Sequence, residues 1–162
     1  MILPILRWPD VRLSRPCAPA VPGAELMALA EDMLETMYAA PGRGLAAPQV
    51  GHLLRLFVMD VGWKEGPRDP LVIVNPEILW MSDNRVTGPE GCLSIPGPVT
   101  EISRASEIRM RWTDALGARH EAMLTGFAAI CAQHEYDHLD GVLTLDRLAP
   151  EDRARAEAEL IA

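Results

Sequence analysis

The chain has 162 residues and a formal net charge of −8, from 15 basic against 23 acidic side chains. That length suits one domain with a core of its own, and the acid excess excludes broad affinity for nucleic acid or anionic membranes, because no net positive field attracts phosphates. Hydrophobic residues at 49% exclude a disordered or collagen-like chain, while aromatics at 5% leave the core to aliphatic side chains and Ala.

Residues 1–22 carry Pro4, Pro9, Pro16, Pro19 and Pro22, which forbid a long helix and predict an extended segment wrapping the surface. The opening MILPILRWPD has a short apolar run broken by Pro4 and followed by Arg7 and Asp10, unlike a secretory or transit leader. Three cysteines, Cys17, Cys92 and Cys131, do not make a disulfide framework. No stretch is long and apolar enough to span a bilayer. A cytoplasmic protein with reduced thiols and no membrane partner is expected.

From Glu25 to Tyr38, Leu26, Met27, Leu29, Ala30, Met33, Leu34, Met37 and Tyr38 repeat at helical spacing, with Glu31, Asp32 and Glu35 on the other face. Pro41, Gly42 and Gly44 end that helix in a tight loop. Short β-type runs follow at Leu56–Val61, Leu71–Val74, Ile78–Trp80, Ile108–Trp112 and Glu121–Leu124. Turn clusters separate them at Gly66-Pro67, Asn75-Pro76, Ser82-Asp83-Asn84 and Asp114–Gly117. Residues 126–139 return to helical spacing, and Pro150, Glu151 and Asp152 start a last helix. Helix, strands, helix predicts an α+β fold, and the absence of linkers or repeats predicts a single domain over residues 1–162.

His134-Glu135-Tyr136-Asp137-His138 lies inside the second long helix. Histidines at i and i+4 share a face, so their imidazoles can converge on one metal ion. Glu135 sits between them, within reach of a proton on metal-bound water. Two histidines do not close a site. Thr144 stands where an extended metalloprotease motif would place a third His; Glu157 downstream and Cys92 upstream remain. Cys92, in Glu90-Gly91-Cys92-Leu93-Ser94, is a soft thiolate on a turn, suited to Zn²⁺ or Fe²⁺. A Cys-His-His set that leaves the fourth position to water is catalytic rather than structural. Cys17 and Cys131 lack such neighbours and read as small buried hydrophobes. Gly42-Arg43-Gly44-Leu45-Ala46-Ala47-Pro48-Gln49 lets a backbone approach a ligand closely and offers the Gln49 amide.

The three islands, in this order, resemble the peptide deformylases. That family carries a glycine-rich stretch ending in Ala-Ala-x-Gln, then Glu-Gly-Cys-Leu-Ser, then Gln-His-Glu-x-Asp-His; here these are residues 42–49, 90–94 and 133–138. Pro9-Asp10, Asn75-Pro76, Leu139-Asp140-Gly141 and Asp146-Arg147-Leu148 extend the resemblance over nearly the whole chain. It implies the deformylase fold, with antiparallel sheets around a central metal-binding helix. It implies Cys92, His134 and His138 as ligands of one divalent ion, Fe²⁺ natively, with Zn²⁺ or another divalent ion as a substitute. It implies Glu135 as general base, and the Gln49 amide and Leu93 N–H as oxyanion donors. Gly44 and Gly91 would pair with a substrate strand, and Glu90 would pair with Arg104. The implied substrate is an N-formylated peptide, with nascent chains at the ribosome as its source. Residues 150–162 hold four acids and two Arg, so electrostatic docking on ribosomal RNA is not expected.

Other positions depart from the family. Arg43 replaces an aliphatic pocket residue, Gly88 a bulky one and Phe127 a Leu; Ile130 completes that pocket. Arg43 either enters the pocket or pairs outward with an acid. Val99 stands where a backbone-binding Arg is common, and Thr144 where an aromatic is usual. A reshaped pocket taking a polar or acidic first side chain is the expectation. Two further readings share the same residues: a metallopeptidase or other amidohydrolase, and a metal-bearing peptide-binding module without turnover.

Overall fold

Leu26, Ala30, Met33 and Met37 recur at three- and four-residue intervals, and that stripe is what the first helix, α1 (Ala24–Ala39), buries. The computed structural model describes residues 1–161 and places α1 within one residue of the expected 25–38 span. Seven strands follow: β1 (Gly44–Ala46), β2 (Leu56–Met59), β3 (Leu71–Met81), β4 (Arg85–Cys92), β5 (Ile95–Ala105), β6 (Glu107–Thr113) and β7 (Arg119–Thr125). Helices α2 (Gly126–Leu139) and α3 (Pro150–Ile161) complete the α+β chain. Among the described residues, no helix is long and apolar enough to cross a membrane.

All strand pairings are antiparallel. One sheet runs β1-β2-β3-β6-β7, and β4-β5 is a separate hairpin. Ala129, Ala132 and Leu139 of α2 pack with Phe57, Ile73, Ile108 and Met110 of the larger sheet. On the other side of that sheet, α1 packs Ala30, Met33 and Met37 against Leu45, Leu56 and Val58. Ala156 of α3 closes a third cluster with Leu13, Ile95, Leu143 and Leu145.

Two expectations for the strands need correction. Asn75-Pro76 is not a turn between two strands but a bulge inside β3. Asn75 adopts φ +48°, and its side-chain amide donates to Ala20 O and accepts from Ala20 N, both at 2.8 Å. Those bonds offset the strained backbone, and Pro76 falls where the ladder is interrupted. The β4-β5 hairpin had no counterpart among the predicted strands. Arg85–Cys92 contains Gly88, Pro89 and Gly91 and buries little, so it lacks an apolar alternation. Its order comes from pairing with β5 along nearly its whole length.

The proline-rich start runs extended except for a single 3-10 turn at Val11–Ser14, and it ties the site's elements together. Leu6 N donates to Gln49 O (2.7 Å), Trp8 N to Ser94 O (2.9 Å) and Cys17 N to Leu139 O (2.9 Å). Gly141, just beyond α2, has φ +75°, and a Cβ there would lie 2.7 Å from the Ser14 carbonyl. Only glycine allows the segment to pass so close.

Candidate metal centre and its cleft

The hairpin turn and α2 meet where Cys92, His134 and His138 form a triad that could hold a metal ion. Cys92 ends β4, with Leu93 and Ser94 forming the turn into β5, while His134 and His138 lie one helical turn apart on α2. One ligand atom from each of Cys92, His134 and His138 lies within 4.8 Å of the others. Cys92 Sγ is 3.5 Å from His138 Nε2, and the two imidazole centroids are 5.1 Å apart. His134 Nδ1 lies 2.9 Å from Glu90 Oε1. A proton on Nδ1 donated to that carboxylate leaves Nε2 with its lone pair toward the triad. A thiolate with two neutral imidazoles is a donor set for a borderline-soft divalent cation, so the residues fit such an ion. Glu157, the other third-ligand candidate, is bound to Arg153 on α3 and lines no part of the cleft.

Behind the triad runs an ionic chain, buried at Glu90, Arg104 and Asp137 and reaching the surface at Arg147. Arg104 on β5 donates Nε and Nη2 to the two oxygens of Glu90 (2.8 and 2.9 Å), and Nη1 to Asp137 Oδ2 at 2.7 Å. Arg147 grips Asp137 with two further bonds of 2.7 Å. Burial pushes the Glu90 carboxyl up, but the hydrogen bonds from His134 and Arg104, with the Arg104 charge, outweigh it and hold the group down at about 2. The Glu90–Arg104 pair was expected. The extension to Asp137 and Arg147 was missed, since residues 33 and 43 positions beyond Arg104 carry no local signal of contact.

Glu135 faces the cleft beside β1. Its Oε1 is buried with no hydrogen-bond partner among the described residues. Burial pushes its carboxyl up to about 7, against the positive charges of His134 and Arg104. A Cβ on Gly44 would lie 2.5 Å from Glu135 Oε2 and 2.9 Å from Cys131 Sγ, so glycine here makes room for the carboxylate. Gln49, in the one-turn helix after β1, is buried. Its Oε1 accepts from Ala46 N at 3.0 Å, and its Nε2 donates to Ser94 Oγ at 3.0 Å, with Cys92 Sγ 3.7 Å away. These bonds orient the amide; Ser94 as its anchor was not singled out from sequence, although it closes the Glu-Gly-Cys-Leu-Ser motif. The Leu93 N–H is not engaged by the main chain among the described residues.

A cleft of about 410 Å³ opens over these groups, bounded by the β1 side at Arg43 and Gly44 and the β4 side at Gly91 and Leu93. Phe127, Ile130 and Cys131 of α2 also line it, as do Gln49, His134 and Glu135. Arg43 resolves its two sequence readings in a mixed way: it lines the cleft, yet pairs with Glu65 at 2.6 Å. Gly88 and Val99 lie outside the cleft; Val99 sits on β5 in a groove against α3. Cys17 and Cys131 are buried thiols, and burial pushes Cys17 up to about 11.

The chain matches the family model for polypeptide deformylase over residues 2–154. It is 49% identical over 160 residues to a peptide deformylase of Alkalilimnicola ehrlichii, covering 98% of this chain and 89% of the relative. It is 49% identical to one from Afipia carboxidovorans, over 93% of this chain and 89% of that one. Among solved structures, a peptide deformylase from Legionella pneumophila superposes with a TM-score of 0.92 at 41% identity, covering 99% of this chain and 94% of that one. One from Ehrlichia chaffeensis in complex with actinonin gives 0.92 at 36% identity, over 98% and 95%. From the triad to the fold around it, this chain belongs to the peptide deformylase family.

Proposed function

We propose that residues 1–162 act as one catalytic domain, a metal-dependent hydrolase that removes the formyl group from N-formylated peptides. The convergence of Cys92, His134 and His138 beside an unpartnered buried Glu135 carries this reading. A divalent cation held by that triad supplies Lewis acidity and lowers the pKa of water toward neutrality. Glu135 takes the proton of the attacking water on a carboxylate oxygen and returns it to the leaving amine. Its Oε1, buried beside the triad without a hydrogen-bond partner among the described residues, is free to accept that proton. The Gln49 amide, already oriented by Ala46 and Ser94, and the Leu93 N–H donate to the oxygen of the formyl group as negative charge develops there.

The substrate binds as an added strand. β1 is an edge strand of its sheet, and β4 pairs on one side only, with β5. Gly44 and Gly91 present these edges across the cleft with no side chain in the way. Side-chain contacts come from Arg43, Phe127 and Ile130. The resemblance favours Fe²⁺ as the native ion, and Zn²⁺ would be a functional substitute because thiolate and imidazole suit both. The substrates are nascent chains at the ribosome in the cytoplasm, reached without help from the acidic α3.

The test is hydrolysis of a formyl-Met peptide by metal-loaded protein and by Glu135→Ala. The variant should bind one metal per chain and lose about 10²–10⁴-fold in kcat, the span of a general base. Turnover unchanged in Glu135→Ala would remove that residue from the mechanism. Cleavage of unformylated peptides instead would favour the metallopeptidase reading.

A further inference from the structure

Arg43 brings to the cleft a guanidinium that is only partly used. Its Nη2 donates to Glu65 Oε1 at 2.6 Å, and its Cζ lies 5.5 Å from the centroid of the Phe127 ring. Its Nε is buried and meets no acceptor among the described residues. At Arg104 and Arg147 the same Nε–Nη2 edge is filled from end to end. Arg104 gives it to both oxygens of Glu90, and Arg147 gives it to both oxygens of Asp137. A carboxylate matches that edge with two parallel hydrogen bonds. Arg43 is therefore a fork holding one of the two oxygens it is shaped for.

The counter-ion is easily displaced. Glu65 is 66% exposed at its side chain, and a solvent-facing ion pair contributes little. The rim that carries it is nonetheless built. Trp63 Nε1 donates to Gly42 O at 2.9 Å, and Tyr38 packs edge-on against Trp63 at 5.1 Å. The same rim brings Lys64, the only lysine of the chain, to the cleft wall. Arg43 and Lys64 stand on this wall against Glu65 at the rim, with Glu90 and Glu135 also lining the cleft.

Arg43 directly precedes Gly44, which abuts Glu135, and it shares its wall with Phe127. Arg43 therefore stands on the cleft wall one residue from the glycine that would pair with the substrate strand. We propose that this wall selects formylated peptides whose first side chain is a carboxylate, with Arg43 exchanging Glu65 for the two oxygens of the substrate. The Phe127 ring holds the guanidinium plane in place for that exchange.

This selectivity rests on the deformylase reading above, and one experiment separates the two. Metal-loaded protein is assayed at low ionic strength on formyl-Glu, formyl-Gln and formyl-Met tripeptides. Glu and Gln have the same shape, so their ratio reports charge recognition alone. We expect kcat/KM for formyl-Glu to exceed that for formyl-Gln by about tenfold or more, carried mainly by KM, and to fall as salt is added. Arg43→Met should bring the ratio to one and raise turnover of formyl-Met. Glu65→Gln, an exposed change that leaves the fold alone, should widen the ratio by removing the competing carboxylate. A ratio at or below one in the parent, or one that survives Arg43→Met or does not respond to Glu65→Gln, overturns the inference. Turnover of formyl-Met without preference for formyl-Glu overturns it alone, whereas no turnover of any formyl peptide overturns the deformylase reading with it.

Discussion

Replacing Arg104 by Met should destabilise this protein far more than the loss of a surface arginine would. Arg104 is almost wholly buried, and its three side-chain hydrogen bonds end on carboxylates that are themselves buried. Methionine fills most of the volume but satisfies none of them. The two acids are affected unequally. Asp137 keeps its two-bond contact with Arg147, while Glu90 keeps only His134. Breaking a buried pair in this way costs about 3–5 kcal/mol, mostly from the charge left behind. For a chain of this size that lowers Tm by roughly 6–20 °C. The assay is urea unfolding with chelator present, so that altered metal affinity does not enter the apparent stability. Adding Glu90→Gln to Arg104→Met removes the stranded charge, so the double variant should be more stable than the two single costs predict, by about 1–2 kcal/mol. A cost below about 1 kcal/mol for Arg104→Met, or simple additivity in the double variant, would refute the account of a charge-compensated buried chain.

The same packing sets other outcomes. Gly44→Ala puts a methyl group 2.5 Å from Glu135 Oε2, so Glu135 must move; kcat should fall by at least about tenfold with metal content unchanged, as a misplaced base requires. Gly141→Ala combines φ +75° with a Cβ 2.7 Å from Ser14 and should cost about 1–3 kcal/mol from backbone strain, before the clash is counted, in thermal unfolding. Met33→Ala empties a fully buried site under α1 and should cost about 2–5 kcal/mol by urea titration without changing kcat. Metal removal should change thiol reactivity at one position. With chelator, an alkylating reagent at pH 8 should label Cys92, while burial keeps Cys17 and Cys131 unmodified; mass spectrometry reads the site, and labelling of Cys92 at equal speed in metal-loaded protein would argue against ligation.

Local chemistry made some of this protein legible in one dimension. The α1 stripe and the i, i+4 histidines of α2 are read directly because helical spacing maps sequence separation onto a face. Strands β2, β6 and β7 announced themselves by apolar and β-branched runs between turn residues. The β4-β5 hairpin did not, because Gly88, Pro89 and Gly91 weaken strand propensity and order there comes from the partner strand. Asn75-Pro76 misled for a related reason: the residues that favour a turn also favour a bulge, and the choice was made by Ala20, 55 positions away.

The sequence by itself determined the length and acidity of the chain, its amphipathic first helix and its second long helix, and the ordered motifs that carry Cys92, His134, His138, Glu135 and Gln49. Those are matters of residue type and short spacing. Only the tertiary structure decided which groups surround them. It set Glu90, Arg104 and Asp137 in one buried chain behind the histidines, closed from the surface by Arg147, and it anchored Gln49 on Ser94. It also placed Arg43 against Glu65 and Phe127 with one edge of its guanidinium half filled. Each of these depends on residues brought together across ten to nearly ninety positions. A side chain's burial and its partners arise from that packing, because desolvation and hydrogen bonding act between neighbours in space.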